Sequence, residues 1–129
     1  MIRNEGDVRK LVKASFKTVW WIENKHGGTL GFPDAIVAEP GGRATFLELK
    51  VMEEASEGAF RLEATPAQLN VLKDMLDLEF NAALLVGWKG TRNVGLVDPR
   101  AVKRVSESAA LGGRKVYEVR ASDVDWLRF

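Results

Sequence analysis

Two stretches of the chain carry apolar residues at the spacing of an amphipathic helix. The first covers residues 4–17 and has Asn4 in position to cap its N-terminus. The second begins at Thr65-Pro66, with Thr65 as the N-cap and Pro66 in the first turn. The apolar positions of the two predicted helices are Val8, Leu11, Val12 and Phe16, and then Leu69, Leu72, Met75 and Leu76.

Short apolar runs between turn-forming residues predict the strands of a sheet. These are residues 19–22, 33–38, 44–51, 82–88 and 94–97, with residues 116–119 as an edge strand. Residues 24–28 and 39–42 predict a loop and a hairpin turn by their glycines. Residues 52–63 are charged and poorly patterned, which predicts a further loop. A short helix is expected from Asp98 to about Glu107, and Ser122 is expected to cap a last helical turn.

The predicted order of elements is helix, three strands, helix, two strands and a short helix. A hairpin followed by a crossover helix favours a mixed α/β sheet flanked by helices. The chain has 129 residues and is 46% hydrophobic, which suits one domain, residues 1–129, with a substantial core.

Composition excludes several kinds of chemistry. The chain has no cysteine, which excludes disulfides, zinc–cysteine sites and a catalytic thiol. The formal net charge is +1, so any nucleic-acid surface must be a local patch. No apolar run approaches the roughly 18 residues of a membrane span, and the N-terminus lacks the apolar core of a signal peptide. We therefore expect a soluble intracellular protein with no membrane partner.

Three charged residues on or beside the predicted strands are candidates for catalysis. Alternate side chains of a strand share a face, so Glu48 and Lys50 are neighbours about 7 Å apart, and the turn at 39–42 brings Asp34 beside them. Two carboxylates and a carbonyl, here that of Leu49, are oxygen ligands that suit Mg²⁺. Lys50 would then orient an attacking water or stabilise negative charge. The alternative is a Glu48–Lys50 ion pair with no catalytic role, although burying such charges is costly.

Other charged residues each have two interpretations. Glu5 lies at the N-terminal end of the apolar face of the first helix, where an acid either favours the helix dipole or belongs to the site. Glu23 follows the first strand and is a second candidate for the site. Basic residues of the first helix, Lys13 among them, either contact phosphates or form a solvated face. Lys25 and His26, in the glycine-rich loop, either contact substrate or remain exposed.

Three motifs follow one another in the first two thirds of the chain. They are Gly31-Phe32-Pro33-Asp34, then Phe46-Leu47-Glu48-Leu49-Lys50, then Leu62-Glu63-Ala64-Thr65-Pro66-Ala67-Gln68. Together they resemble the motifs of the PD-(D/E)xK nuclease superfamily. They are most similar to its small phage and bacterial branch, which includes VRR-NUC domains and phage Holliday junction resolvases. The resemblance covers about residues 1–90.

The resemblance implies a restriction-endonuclease-like fold, in which helices flank a central mixed β-sheet with an αβββαβ core. It implies Asp34 and Glu48 as metal ligands and Lys50 as the catalytic lysine. Gln68, at the start of the second helix, would lie beside the site and touch DNA or the catalytic lysine. The acid that the family carries on its first helix matches Glu5, with Asp7 and Glu23 as alternatives.

The resemblance also implies a function. We expect a metal-dependent, structure-selective DNA endonuclease that uses Mg²⁺, or Mn²⁺ in its place. The most specific activity expected is Holliday junction resolution. Two symmetric cuts would need a homodimer, and the location would be the cytoplasm of a bacterium or of a phage-infected cell. The alternatives are a general DNA repair or replication nuclease and a catalytically silent DNA-binding protein of nuclease fold. The residues expected to contact DNA are Lys13, Lys25, His26, Arg61, Thr65 and Gln68.

Overall fold

A mixed β-sheet forms the centre of the computed structural model, which describes residues 1–23, 31–38, 40–105 and 113–128. These ranges contain two α-helices, α1 (Glu5–Ser15) and α2 (Pro66–Asp77). The strands within them are β1 (Thr18–Trp21), β2 (Ala35–Ala38), β3 (Thr45–Ser56), β4 (Ala59–Ala64), β5 (Asn81–Trp88), β6 (Val94–Val97), β7 (Lys103–Arg104), β8 (Lys115–Arg120) and β9 (Val124–Trp126). Two 3-10 turns, Pro99–Ala101 and Ala121–Asp123, complete the described elements.

The longest strand, β3, has a split edge. On one edge β3 pairs in parallel with β5 along residues 45–52. On the other edge its first part, residues 45–47, pairs antiparallel with β2, and its last part, from Met52 onward, pairs antiparallel with β4. No described strand pairs with residues 48–51 on that edge. Because this gap is open, side chains from the two faces of the sheet can meet there.

The two helices cover opposite faces of this sheet. Val8 of α1 belongs to one apolar core together with Leu47 and Leu49 of β3. Leu72 of α2 belongs to the other core together with Met52. Since alternate residues of a strand point to opposite faces, the two cores lie on either side of β3. The predicted mixed sheet with flanking helices is confirmed.

The start of α1 is held by hydrogen bonds on both sides of its N-cap. The side chain of Asn4 accepts from the backbone N–H of Asp7 at 3.0 Å, as the sequence predicted for this residue. The carboxylate of Asp7 accepts in turn from the backbone N–H of Arg3 at 2.9 Å. This bond, together with the Arg3 guanidinium, holds the pKa of Asp7 below its ordinary value. The first turn of α1 is thereby anchored where it carries Glu5.

The prediction of a loop at residues 52–63 is wrong. The chain instead continues as β3 to Ser56, turns through Gly58, and returns as β4. Phe60 and Leu62 are buried while Arg61 is exposed, so this segment has the alternation of a half-buried strand. Charged residues occupy its outward positions, and because they are so numerous, the alternation of apolar and polar positions could not be recognised in the sequence.

Three predictions near the C-terminus are also wrong. The predicted helix from Asp98 is only the 3-10 turn Pro99–Ala101, after which β7 pairs with β8. The strand predicted as an edge strand, β8, lies between β4 and β7. Ser122 caps no helix, because the turn Ala121–Asp123 has no side-chain cap and leads directly into β9.

Two predicted connections fall at least partly outside the described residues: the loop at 24–28 and the first residue of the hairpin turn at 39–42. Among the helices that the structure describes, none is both long enough and apolar enough to cross a membrane.

Candidate active site

Asp34 lies at the gap in the edge of β3, immediately before β2. Its backbone N–H donates to the carbonyl of Leu47 at 2.9 Å, and its own carbonyl accepts from the N–H of Ile22 at 2.9 Å. Its side-chain Oδ2 accepts from the backbone N–H of Leu49 at 2.9 Å. The carboxylate of Asp34 is therefore fixed beside the peptide that joins Glu48 to Leu49. This is the juxtaposition that the hairpin prediction required.

Glu48 and Lys50 are the buried charged residues among those described. Glu48 is 2% exposed and Lys50 is 5% exposed. They alternate with Met52, so both belong to the α2 face of β3. The Nζ atom of Lys50 lies 3.8 Å from Oε2 of Glu48. Burial of one such charge is costly unless an opposite charge and hydrogen bonds compensate it, so this pair needs the partners that surround it.

Glu5 brings a further carboxylate to Lys50. Its Oε1 lies 3.5 Å from Nζ of Lys50, although its side chain is 56% exposed. Glu23, the other acid considered for this place, is exposed and pairs instead with the guanidinium of Arg9 at 2.6 Å. Asp7, the third alternative, is tied to the segment before α1. Of the three acids, Glu5 is the one that contacts Lys50, and its part in catalysis stays a prediction.

Gln68 contacts Glu48. Thr65 and Gln68 form a capping box at the start of α2, in which the Thr65 hydroxyl accepts from the Gln68 N–H at 3.2 Å. In return, Oε1 of Gln68 accepts from the Thr65 N–H at 3.0 Å. The Nε2 of the same amide donates to Oε2 of Glu48 at 3.4 Å. The resemblance implied a contact with DNA or with the catalytic lysine, whereas the amide lies against the buried carboxylate of Glu48.

Gly31 joins the segment that carries Asp34 to the start of α2. Its φ is +83°, in the left-handed region that favours glycine. A Cβ at this position would lie 2.6–2.7 Å from the backbone of Ala67 and 2.7 Å from the N atom of Gln68. Only a glycine permits this approach, so the glycine of the first motif brings Asp34 and Gln68 to the same place.

The donors at this site suit an oxygen-preferring cation. Asp34 and Glu48 supply two carboxylates, and the carbonyl of Leu49 belongs to the residue that follows Glu48 and whose N–H bonds to Asp34. This is the kind of donor set that Mg²⁺ takes in phosphate chemistry. Among the residues described, no group of three or more acidic, histidine or cysteine side chains could hold a metal, so the backbone carbonyl and waters would have to complete the set.

A cleft of about 470 Å³ opens beside Lys50 and Glu5. Of the residues predicted to contact DNA, Arg61 lines this cleft and is exposed. Lys13 is exposed in the last turn of α1. Thr65 is partly buried and its hydroxyl is engaged in the capping box. Lys25 and His26 lie outside the described residues, so their predicted contacts are untested.

Comparison with known proteins finds a match among solved structures. No family model and no curated protein matches the chain. The fold itself is a restriction-endonuclease-like one, a central mixed sheet with helices on both faces. It is similar to the solved structure of Hjc from Archaeoglobus fulgidus, a Holliday junction resolvase from an archaeal hyperthermophile. The similarity covers 92% of this chain and 84% of that one, with a TM-score of 0.58 and 14% identity. At this identity the comparison establishes the fold.

Proposed function

We propose that this protein is a metal-dependent endonuclease that hydrolyses phosphodiester bonds in branched DNA, with the four-way junction as its main substrate. The observation that carries the proposal is the hydrogen bond from the Leu49 N–H to the carboxylate of Asp34. It fixes one carboxylate beside the residue that carries the other, Glu48, and Lys50 lies next to Glu48 on the same face. Two carboxylates and one ammonium group thus converge at an open edge of the sheet.

Each residue of this group has a distinct part in the proposal. Asp34, Glu48 and the Leu49 carbonyl hold Mg²⁺, or Mn²⁺ in its place. When bound, the cation supplies positive charge that acidifies a water and offsets the charge that develops on the phosphate. Lys50 orients the attacking water or donates to the phosphate oxygens. Its ammonium contacts the carboxylates of both Glu48 and Glu5, which hold it at the site.

Gln68 acts on Glu48 as a positioning residue. Its amide oxygen is held by the N–H of Thr65, so the rotation of the amide is fixed and its NH₂ points to Oε2 of Glu48. A donor at this oxygen orients the carboxylate that would hold the cation. Groups that orient metal ligands typically change metal affinity or activity by about 10- to 100-fold when they are removed.

Three considerations support branched DNA as the substrate. The solved structure that the chain resembles, over nearly its whole length, is that of a Holliday junction resolvase. The three motifs resemble those of the small phage and bacterial branch of the superfamily, which includes such resolvases. The described residues also show no separate recognition module beside the sheet, so selectivity would come from DNA shape. Two symmetric cuts in a junction are achieved most simply by a homodimer with two-fold symmetry.

The test is cleavage of an end-labelled four-way junction and of a linear duplex with the same arm sequence, each with Mg²⁺ and with EDTA. The proposal predicts symmetric nicks in the junction that require Mg²⁺, with the duplex left intact. Equal cutting of both substrates would mean a general nuclease. Binding of the junction in EDTA without any cutting in Mg²⁺ would mean a catalytically silent DNA-binding protein. Sedimentation of the free protein would test the homodimer.

A further inference from the structure

We propose that Arg61 and Arg114 form a phosphate-binding subsite that holds the DNA strand next to the phosphodiester reacting at Lys50. This inference rests on the proposed function. It adds the ligand, which is a backbone phosphate of the same DNA strand, and the binding position, which is the part of the cleft formed by β4 and the start of β8.

The subsite is continuous with the candidate active site. Arg61 and Arg114 line the same cleft of about 470 Å³ as Lys50 and Glu5. Leu62 of β4 and Val116 of β8 also line this cleft, and the pairing of these two strands joins the parts of it that hold the two arginines. A strand that places one phosphate at Lys50 and leaves along this cleft therefore passes both guanidinium groups.

Arg61 is available to a ligand. It is exposed, and within the described ranges it forms no ion pair and no side-chain hydrogen bond. Its neighbours across the two adjacent strands are Glu53 and Glu118. Glu53, however, is engaged with Lys89, whose Nζ lies 2.9 Å from its carboxylate. A guanidinium beside acids but paired with none of them can donate two parallel hydrogen bonds to a phosphate.

Arg114 shares these properties and lies immediately before the next strand, β8. It is exposed and, among the described residues, has no ion pair or side-chain hydrogen bond. The remaining acid of this part of the cleft is Glu63, which is exposed and also lacks an ion pair within the described chain. Because the net charge of the whole protein is only +1, two arginines in one cleft that form no ion pair among the described residues are a local feature. Glu63 would oppose the binding of a phosphate there.

The register gives the position of this subsite relative to the reacting phosphate. Arg61 faces Glu53, which lies three residues beyond Lys50 along β3. At about 3.3 Å per residue this is about 10 Å. One strand of a duplex carries a phosphate every 3.4 Å or so of helix axis, so Arg61 would meet a phosphate within about three nucleotides of the cut.

The test measures junction binding in EDTA, where no cutting occurs, as a function of salt concentration. We compare the wild type with Arg61→Ala, Arg114→Ala and the double variant. Each lost phosphate contact is expected to reduce the slope of log affinity against log salt by about 0.9. The matched control is Arg128→Ala, since Arg128 is exposed beyond β9 at the other end of the sheet. Glu63→Gln should act in the opposite direction and tighten binding.

A second measurement locates the contact on the DNA. Single neutral methylphosphonates are placed at each of the first four positions on both sides of the cut. At one or two positions the neutral linkage should weaken binding of the wild type by the same factor as Arg61→Ala does, and should add nothing to that variant. With Mg²⁺, the alanine variants should raise KM for the junction and leave kcat unchanged.

The outcomes of the two proposals can be distinguished. The subsite would be overturned if the salt slopes of the Arg61 and Arg114 variants equalled that of Arg128→Ala. It would also be overturned if, at every position, the neutral linkage weakened binding by Arg61→Ala as much as it weakens binding by the wild type. If the salt slopes fall as expected but the wild type cuts no DNA in Mg²⁺, the subsite stands and the proposed nuclease activity fails. Circular dichroism of each variant checks that the fold is intact.

Discussion

Both α-helices begin beside the Glu48–Lys50 pair, from opposite faces of the sheet, but they contact it differently. Glu5, in the first turn of α1, reaches Lys50 with a side chain that is 56% exposed. Gln68, in the first turn of α2, reaches Glu48 with an amide that its own capping box already holds. The start of α2 thus restrains Glu48 through an amide that is already fixed, whereas the start of α1 contacts Lys50 through a largely exposed carboxylate.

Because of this difference, we expect the activity to depend to different degrees on the residues of the site. Changes at the pair itself should have the largest effects, changes at Gln68 intermediate ones, and changes at Glu5 small ones. The far end of α2 provides a reference, because a change there should alter stability without altering chemistry.

Apart from loss of the cation ligands, the largest effect is expected from Lys50→Met, which keeps the volume and removes the ammonium. Loss of one group that stabilises developing charge typically costs about 100- to 1,000-fold in rate, so kcat for junction cleavage should fall by that amount. The matched control is Lys89→Met, because Lys89 lines the same cleft but pairs with Glu53. Single-turnover assays measure both variants. Equal losses in the two would show that Lys50 contributes only general positive charge.

An intermediate effect is expected from Gln68→Glu. A glutamate at this position completes a capping box as well as glutamine does, but it replaces the donor to Glu48 by a carboxylate. We expect a helix that stays capped together with a loss of about 10- to 100-fold in activity or metal affinity. The Mg²⁺ titration of cleavage measures the metal requirement.

Thr65→Ala makes the opposite change to Gln68→Glu: it weakens the cap of α2 and keeps the amide of Gln68. It removes the N-cap, which should lower the free energy of unfolding by about 1 kcal/mol, and it leaves the Gln68 amide facing Glu48. If Thr65→Ala changed the Mg²⁺ requirement as much as Gln68→Glu does, Gln68 would be acting only through the stability of α2.

A small effect is expected from Glu5→Gln. Exposed ion pairs are worth about 1 kcal/mol or less, so removal of this charge should change the cleavage rate by less than about fivefold. Glu23→Gln is the comparison variant, because Glu23 pairs with Arg9 and should leave the rate unchanged. A loss at Glu5 as large as that at Lys50 would mean that this carboxylate takes a direct part in the reaction.

The smallest effect on activity is expected from Glu79→Gly, just beyond the C-terminus of α2. Glu79 has φ +67°, in the left-handed region. The Phe80 N–H bonds to the Met75 carbonyl and the Glu79 N–H to the Leu76 carbonyl, which is a Schellman arrangement. Glycine at this position avoids the steric cost that glutamate bears there. Chemical denaturation should show a gain of about 0.5–1 kcal/mol, with cleavage unchanged.

The elements of the fold that depend only on neighbouring residues could be predicted from the sequence. The apolar spacing of Val8 and Val12 gave α1, and Thr65-Pro66 gave the start of α2, because both depend only on neighbouring residues. The extension of β3 and the strand β4 were missed because charged outward positions masked the alternation of Phe60 and Leu62. The short β7 and β9 are held by their neighbours in the sheet, which local propensity does not reveal.

The site could be predicted in part for a similar reason. Alternation along one strand places Glu48 and Lys50 together, and the hairpin places Asp34 beside them. The contact of Gln68 with Glu48 joins residues 20 positions apart, with the hairpin of β3 and β4 between them, so only the assembled sheet reveals it. The choice of Glu5 over Glu23 depends on how α1 lies across β3, and that packing has no signal in either residue's neighbours.

The central claim is that Asp34 and Glu48 hold a catalytic cation at the split edge of β3. The most direct measurement is junction cleavage and junction binding by Asp34→Asn and Glu48→Gln, with Mg²⁺ titrated up to saturation of the wild type. The account predicts that both variants bind the junction at least as tightly as the wild type, because repulsion of the phosphate falls, and that neither cuts it. Near-normal cleavage by either variant would contradict the assignment of the site.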